Sequence, residues 1–275
     1  MADISAADVA KLRMATLAGI MDCKKALTEA DNDFEKAKEI LREKGKAIAA
    51  KRSEREAANG CVLAKKDGKY AALIALKCET DFVATNAGFV NATTEILDKA
   101  VANKSKSMDE VKALKLGEGT VEESVVQRSG VTGEKVELDG FGCVEGETTA
   151  IYIHQGNRLA CIVAFNLPDV PTEYSHEVAM QIAAMNPISI DAKGVPENVL
   201  AQEKEIAAQK AREEGKPENL IERIAEGRVH KFYKEVCLLE QEYVKDPKLT
   251  IGQFIKQYNK DLTVVDFKRF TLNME

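Results

Sequence analysis

The chain has 275 residues, which is enough for at least two domains, since single hydrophobic cores stop growing at about 250–300 residues. Hydrophobic residues make up 45% of the sequence and charged residues 31%, a composition that excludes a disordered chain. The net charge of −6 does not favour nucleic-acid binding, which normally needs a strongly basic face.

The cysteines and the first residues indicate the compartment. The six cysteines are scattered, and no two have the C-x-x-C spacing of zinc and redox motifs. We therefore expect buried free thiols in a reducing compartment, and no metal. The N-terminus lacks a basic-then-apolar signal, and no apolar run approaches the roughly 18 residues of a membrane helix. These features predict a cytoplasmic protein without membrane contact.

Residues 1–45 are predicted to form a three-helix domain. Ser5 and Asp8 have capping-box spacing, so the first helix begins there and runs to about Ala15. The third helix begins after Asp33 and is expected to end at Gly45. The inward positions of the second and third helices are apolar: Ile20, Cys23, Leu27, Phe34, Ala37, Ile40 and Leu41. A core below about 70 residues is marginal alone, which favours a docking module over a catalytic body.

Residues 46–58 are predicted to be a basic linker. Lys46, Lys51, Arg52 and Arg55 lie among alanines, which suits a solvated helix or a flexible tether. RNA contact is the alternative interpretation, although a charge run is usually only a hydrated face.

Residues 59–145 are predicted to be the first half of an α+β core. A β-hairpin turns at Asp67-Gly68 and leads to the corner Thr80-Asp81-Phe82, after which a helix runs to about Val101. Either Thr80 or Asp81 can cap that helix. Phe82 either closes the corner as a core residue or points outward beside a carboxylate, and the residue types leave both open.

The rest of this half contains two more predicted helices and a strand. A capping box at Ser107 opens a helix that ends near Gly117, and a further helix is expected to stop at Gly130. A strand follows at residues 135–144.

Residues 146–275 repeat the pattern of hairpin followed by helix, with the hairpin at residues 149–165 and the helix at 173–185. We therefore expect two related α+β halves with antiparallel sheets. A short helix at residues 251–258 and a strand at 264–272 complete the second sheet. The charge-rich residues 196–236, broken at Gly215 and Pro217, predict a helical hairpin. Its narrow apolar seam favours a coiled-coil arm that seeks a partner or another copy over a helix pair packed flat on the body.

The sequence shows no catalytic chemistry. His154, His176 and His230 lie far apart, and nucleophile, phosphate-loop, dinucleotide and metalloprotease motifs are missing. We expect a binding protein without catalytic residues or cofactor. An unrecognised hydrolase is the weaker hypothesis.

Two segments closely resemble the signatures of the elongation factor Ts family, the nucleotide exchange factors of bacterial translation. They are Thr16-Leu17-Ala18-Gly19-Ile20-Met21-Asp22-Cys23-Lys24-Lys25-Ala26-Leu27 and Cys78-Glu79-Thr80-Asp81-Phe82-Val83-Ala84. Gly215-Lys216-Pro217 with Glu226-Gly227-Arg228 resembles that family's coiled-coil hairpin. The resemblance implies a ubiquitin-associated-like N-terminal domain, a two-part α+β core and a protruding coiled coil.

The resemblance also implies a site and a partner. Thr80, Asp81, Phe82 and Val83 would press on the GTPase domain of elongation factor Tu, and Phe82 would enter between two of its helices and dislodge Mg²⁺, so that GDP leaves. A second set of residues would bind the same partner in its GDP-bound and nucleotide-free states: Ile20 and Met21, with Leu12 behind them, and His154. The alternative hypothesis is an adaptor that scaffolds proteins or RNA through the small helical domain and the arm, with the corner merely structural.

Overall fold

The structure is a computed structural model that describes residues 4–16 and 18–272. Its architecture is α+β, as predicted: N-terminal helices, two antiparallel three-stranded sheets with helices against them, and a helical arm. Leu17, which belongs to the first of the two signature segments, lies outside the described residues.

The N-terminal unit contains the three predicted helices. They are α1 (Ala6–Thr16), α2 (Ile20–Glu29) and α3 (Phe34–Arg52). Ser5 and Asp8 exchange backbone-to-side-chain hydrogen bonds at 3.3 and 3.1 Å, and the Asp33 carboxylate accepts from the Lys36 amide at 3.0 Å. The small core consists of Val9, Leu12, Ala18, Cys23, Ala26, Leu27, Ala30, Ala37 and Leu41.

The first half of the core is built on a sheet with strand order β1-β2-β5. Its elements are β1 (Asn59–Asp67), β2 (Tyr70–Cys78), α4 (Asp81–Ala84), α5 (Ala87–Ala102), α6 (Met108–Ala113), β3 (Lys115–Leu116), β4 (Gly119–Thr120), α7 (Val121–Thr132) and β5 (Val136–Glu145). The predicted hairpin and strand are confirmed, and Gly68 supplies the left-handed turn residue with φ 58°. The predicted helix after Ser107 is present as α6, but it ends at Ala113 and not near Gly117, because β3 and β4 pair as a small hairpin there.

Gly45 and Gly130 do not end helices, contrary to the prediction. Helix α3 continues to Arg52, and α7 continues to Thr132 and ends at Gly133, whose φ is 72°. The two glycines face each other where α3 crosses α7, and a Cβ added to Gly130 would lie 2.7 Å from the Gly45 Cα. The absence of side chains allows this approach. The first part of the predicted linker is therefore a rigid helix packed on the core.

The second half has a sheet with strand order β10-β7-β6. Its elements are β6 (Thr148–Ile153), β7 (Leu159–Phe165), α8 (Thr172–Met185), α9 (Glu197–Glu213), α10 (Glu218–Val236), β8 (Glu242–Tyr243), β9 (Asp246–Thr250), α11 (Ile251–Tyr258) and β10 (Val264–Thr271). As predicted, β10 completes the sheet by pairing antiparallel with β7. In each half, the second hairpin strand is central and a later strand covers its free edge.

The two sheets pack against each other through a shared apolar layer. Its buried residues are Val62, Ala64, Ala71, Leu73, Ala75, Val144, Ala160, Ile162 and Ala164. Gly140 makes room for the Phe270 ring, because a Cβ there would lie 2.5 Å from the ring. The helices of each half cover the opposite face of their own sheet through two larger clusters.

Helices α9 and α10 form the arm, and the predicted helical hairpin is confirmed. They turn at Gly215, whose φ is 72°, and pack mainly on each other. The seam buries Ala207, Ala211, Ile221, Ala225 and Val229. At its root, the Ile188 amide donates to the Val236 carbonyl and the Leu238 amide to the Ser189 carbonyl, both at 2.9 Å. Within the described ranges, no helix is long and apolar enough to cross a membrane.

Candidate protein-binding site

The corner after β2 is a single helical turn. Thr80 is the N-cap of α4, and its Oγ1 accepts a hydrogen bond from the Val83 amide at 3.4 Å. The next helix, α5, has its own N-cap, since the Asn86 side chain accepts from the Gly88 amide at 2.8 Å. The corner therefore caps a short separate turn and not the long helix that we predicted. Asp81, the other candidate cap, is the first residue of α4.

Phe82 points into solvent. Its exposed fraction is 83%, and Asp81 beside it is exposed as well. The inner side of α4 is filled by Val83 and Ala84, which pack on the core of the first half. Of the two arrangements that the sequence left open, the structure has the outward one. An aromatic side chain so exposed on a structured turn is typical of an interaction surface.

A carboxylate from a distant part of the chain braces the corner. Glu134, between α7 and β5, accepts through Oε2 from the Glu79 amide at 3.1 Å and the Thr80 amide at 3.0 Å. Its Oε1 accepts from Thr80 Oγ1 at 2.6 Å. The Cys78 thiol donates to the Thr80 carbonyl at 3.2 Å, and burial raises the pKa of this thiol to about 12. The polar backbone of the corner is thus held on both sides.

A second carboxylate ties the corner to α3. Glu79 accepts from Arg52 Nη1 at 2.7 Å, Arg55 Nη1 at 3.1 Å and the Lys135 amide at 2.6 Å. Burial by itself raises the pKa of Glu79, but the bonds from Lys135, Arg52 and Arg55 outweigh it and lower the pKa to about 2. The end of α3 is therefore fixed to the base of the corner by ionised groups.

The N-terminal unit presents a second apolar surface. Met14, Ile20 and Met21 are 77%, 54% and 64% exposed. Met14 and Ile20 line a groove of about 700 Å³ between α1 and α2, together with Ile4, Ala6, Val9, Ala10, Arg13 and Lys24. The prediction that Ile20 lies on the inward side of α2 was wrong, because Cys23 and Leu27 fill that side and Ile20, at the first position of the helix, points outward.

Leu12 has a different position from the other predicted contact residues. Its exposed fraction is 0%, because it lies at the centre of the small core. It cannot touch a partner in this conformation and instead supports α1 from below. The exposed Met14 was not among the contact residues predicted from the sequence. It lies two positions after Leu12, on the opposite side of α1, which is the available sequence signal.

His154 is exposed at the end of β6, in the second half of the core. Its Nδ1 lies 2.9 Å from the Tyr152 hydroxyl, and the Tyr152 ring centroid lies 5.8 Å from that of His176. The structure therefore groups two of the three histidines with a tyrosine that the sequence analysis did not single out. Phe82 belongs to the first half, so the predicted contact residues are spread over three parts of the fold.

The described part of the chain contains no cluster of His, Cys, Asp and Glu that could hold a metal ion. What the fold does offer is apolar side chains exposed on rigid supports, which is the character of a protein-binding surface.

Comparison with known proteins agrees with this character. The family model for elongation factor TS matches residues 79–274, from the base of the corner to the end of the second half. Elongation factor Ts of Porphyromonas gingivalis is 53% identical over 98% of both chains, and that of Parabacteroides distasonis is 48% identical over 99% of both. Elongation factor Ts of Azobacteroides pseudotrichonymphae is 47% identical over 98% of both.

These matches define a translation elongation factor, active in protein biosynthesis. The chain belongs to the elongation factor Ts family, as its two signature segments predicted.

Proposed function

We propose that the chain is the guanine-nucleotide exchange factor for elongation factor Tu. The observation that carries the proposal is the outward Phe82, held beside the Asp81 carboxylate on a braced turn. The chain would bind GDP-loaded elongation factor Tu in the cytoplasm, promote GDP release and leave when GTP binds.

Phe82 would act as a wedge. GDP with Mg²⁺ is held by phosphate and metal contacts, so disturbing the metal weakens several charge-assisted interactions together. Phe82 would enter between two helices of the partner's GTPase domain and move the groups that hold Mg²⁺ through water. Thr80, Asp81 and Val83 would frame the wedge. The chain itself makes and breaks no covalent bond in this proposal, so it is not an enzyme.

A wedge can act only through a difference in its affinity for two conformations of the partner. It promotes release only to the extent that it binds the nucleotide-poor conformation of the partner more tightly than the GDP-bound one. Coupling is reciprocal: by whatever ratio the factor lowers the partner's affinity for nucleotide, nucleotide lowers the partner's affinity for the factor. GTP binding can therefore expel the factor.

The other surfaces would supply affinity. Ile20 and Met21 would grip the same GTPase domain, with Leu12 supporting them from the core of the N-terminal unit. His154 would contact the partner from the second half of the core. Pairing of two copies through the arm stays a prediction.

Truncation of the wedge tests the proposal. We expect Phe82→Ala to slow GDP release from elongation factor Tu by about 30- to 700-fold, because a central aromatic anchor typically contributes about 2–4 kcal/mol. The measurement is the release rate of a fluorescent GDP analogue in stopped flow. The thermal midpoint should stay close to that of the parent chain, since Phe82 is exposed.

Val244→Ala is the matched control, because it truncates another exposed apolar side chain, in the second half. It should leave the release rate unchanged. A Phe82→Ala chain as active as the parent would remove the wedge from the mechanism. A parent chain that fails to accelerate release but retains other proteins or RNA would favour the adaptor hypothesis.

A further inference from the structure

We infer that Glu134 is a positioning residue for the wedge, acting through Thr80 on the direction of Phe82. This inference rests on the proposed function. Glu134 is 54 residues from Thr80 in sequence and touches the corner from outside it.

The contact uses both carboxylate oxygens. Two consecutive amides, those of Glu79 and Thr80, donate to Oε2, and the Thr80 hydroxyl donates to Oε1. Hydrogen bonds to an ionised acceptor are shorter and stronger than neutral ones. Together the three bonds fix the backbone immediately before α4 and the rotation of the capping hydroxyl.

The fixed hydroxyl determines where α4 points. Since Thr80 Oγ1 donates to Glu134, its lone pairs are directed at the Val83 amide, which it caps. Helix α4 has four residues, of which only Ala84 is buried. An isolated turn of this length is not stable, so α4 depends on the packing of Val83 and Ala84 for its position and on the polar bonds before it for its direction. Without Glu134 the turn would sample several directions, and Phe82 would have to be ordered when the partner binds.

The chemistry of the carboxylate predicts an order among variants. Glu134→Gln keeps one acceptor oxygen for the two amides, and its NH₂ can donate to the Thr80 hydroxyl, so most of the brace survives. Glu134→Asp is one methylene shorter and loses reach, and Glu134→Ala removes all three bonds. The expected order of exchange activity is parent, Gln, then Asp and Ala.

The test is a double-mutant cycle on GDP release from elongation factor Tu. We expect Glu134→Ala to slow release about tenfold, since the wedge must be ordered on binding, and Glu134→Gln to restore most of the rate. If Glu134 acts only through the wedge, the double variant Glu134→Ala/Phe82→Ala is no slower than Phe82→Ala alone. If Glu134 had a merely structural role, the fold-reductions in release rate of the two single variants would instead multiply in the double variant.

The control is Glu110→Ala. Glu110 accepts from the Lys106 amide at 2.6 Å at the start of α6, so its loss also removes a helix-start carboxylate from the same half. It should leave the release rate unchanged. Three results would each overturn the inference: multiplied effects in the double variant, an unchanged rate in Glu134→Ala, or equal slowing by Glu110→Ala.

A parent chain that does not accelerate GDP release fails the proposed function instead. In that case, hydrogen exchange of the backbone amides at residues 80–85 in Glu134→Ala tests directly whether Glu134 holds the corner. Unchanged protection there overturns it.

Discussion

At the scale of single residues, the Glu79 carboxylate at the base of the corner is held in its ionised form. Its carboxylate accepts from two guanidinium groups and one backbone amide, which outweigh the cost of its burial. The ionised form is thus favoured in the folded state. Arg52 and Arg55, two of the basic residues of the predicted linker, thus have an acidic partner within the fold.

The lowered pKa of Glu79 makes a pH prediction. A carboxylate whose pKa falls from the ordinary value of 4.5 to about 2 on folding adds stability above the higher value, and this stability is lost as the pH falls toward 2. Glu79→Gln should therefore be about 1–2 kcal/mol less stable than the parent at pH 6. The two chains should converge near pH 2.

Urea unfolding followed by circular dichroism at several pH values measures the difference. Glu222→Gln, an exposed glutamate on the arm, is the control and should follow the parent throughout. A Glu79→Gln chain that differs from the parent by the same amount at pH 6 and pH 2 would contradict the assignment.

At the scale of elements, the crossing of α3 and α7 depends on two glycines with unequal roles. A Cβ on Gly130 would lie 2.7 Å from the Gly45 Cα, a clash with backbone that cannot rotate away. A Cβ on Gly45 would lie 3.6 Å from the Gln127 Cα, which is ordinary contact. The crossing can therefore accept a side chain on one helix but not on the other.

We predict that Gly130→Ala lowers the free energy of unfolding by about 1–2 kcal/mol, because overpacking outweighs the gain in helix propensity. Gly45→Ala should be neutral or slightly stabilising. Gly227→Ala, in α10 with open space around the added Cβ, should stabilise its helix by up to about 1 kcal/mol. Chemical denaturation of the three variants checks the order. Equal effects of Gly45→Ala and Gly130→Ala would be incompatible with this crossing.

The same two glycines show what sequence could and could not predict about the elements. Hairpins and caps rest on local chemistry, so Asp67-Gly68 and Ser5 were placed correctly. A glycine at the end of an amphipathic run has two meanings, a helix stop or a close approach. Only the position of the other helix decides between them, and that information is not local.

At the scale of the whole molecule, the body and the arm are separate in their packing. The five buried residues of the arm seam belong to none of the four apolar clusters that the described residues form. The two ends of the arm are joined by backbone hydrogen bonds at its root. The body should therefore fold without the arm.

We predict that replacing residues 198–234 with a short Gly/Ser linker leaves the melting temperature of the body within a few degrees of the parent. Helices that pack side by side are about 8–10 Å apart, so about four linker residues suffice. Under the proposed function, acceleration of GDP release should also persist, because the wedge lies in the first half. A folded body that has lost this activity would place the arm in the exchange mechanism.

The site could be predicted only in part. The segment that contains Phe82 was found from its residues, but the outward direction of the Phe82 side chain was not. Phe82 and Val83 are both suitable for burial, and only the packing of α4 places Val83 against the core. Glu134 and Tyr152 were missed since neither belongs to a motif. Leu12 was grouped with exposed residues because the family resemblance gives a position in sequence and not a depth in the fold.

The continuity of α3 has a consequence for recognition. This helix of 19 residues, about 28 Å long at 1.5 Å per residue, begins in the N-terminal unit and ends at the residues that hold Glu79. Under the proposed function, a flexible tether would let the exposed Met14, Ile20 and Met21 and the exposed Phe82 reach the partner independently. A continuous helix instead holds the two apolar surfaces at a fixed separation, so that once either surface is bound the other is at high effective concentration. The partner would then have to match this separation as well as the chemistry of the two surfaces.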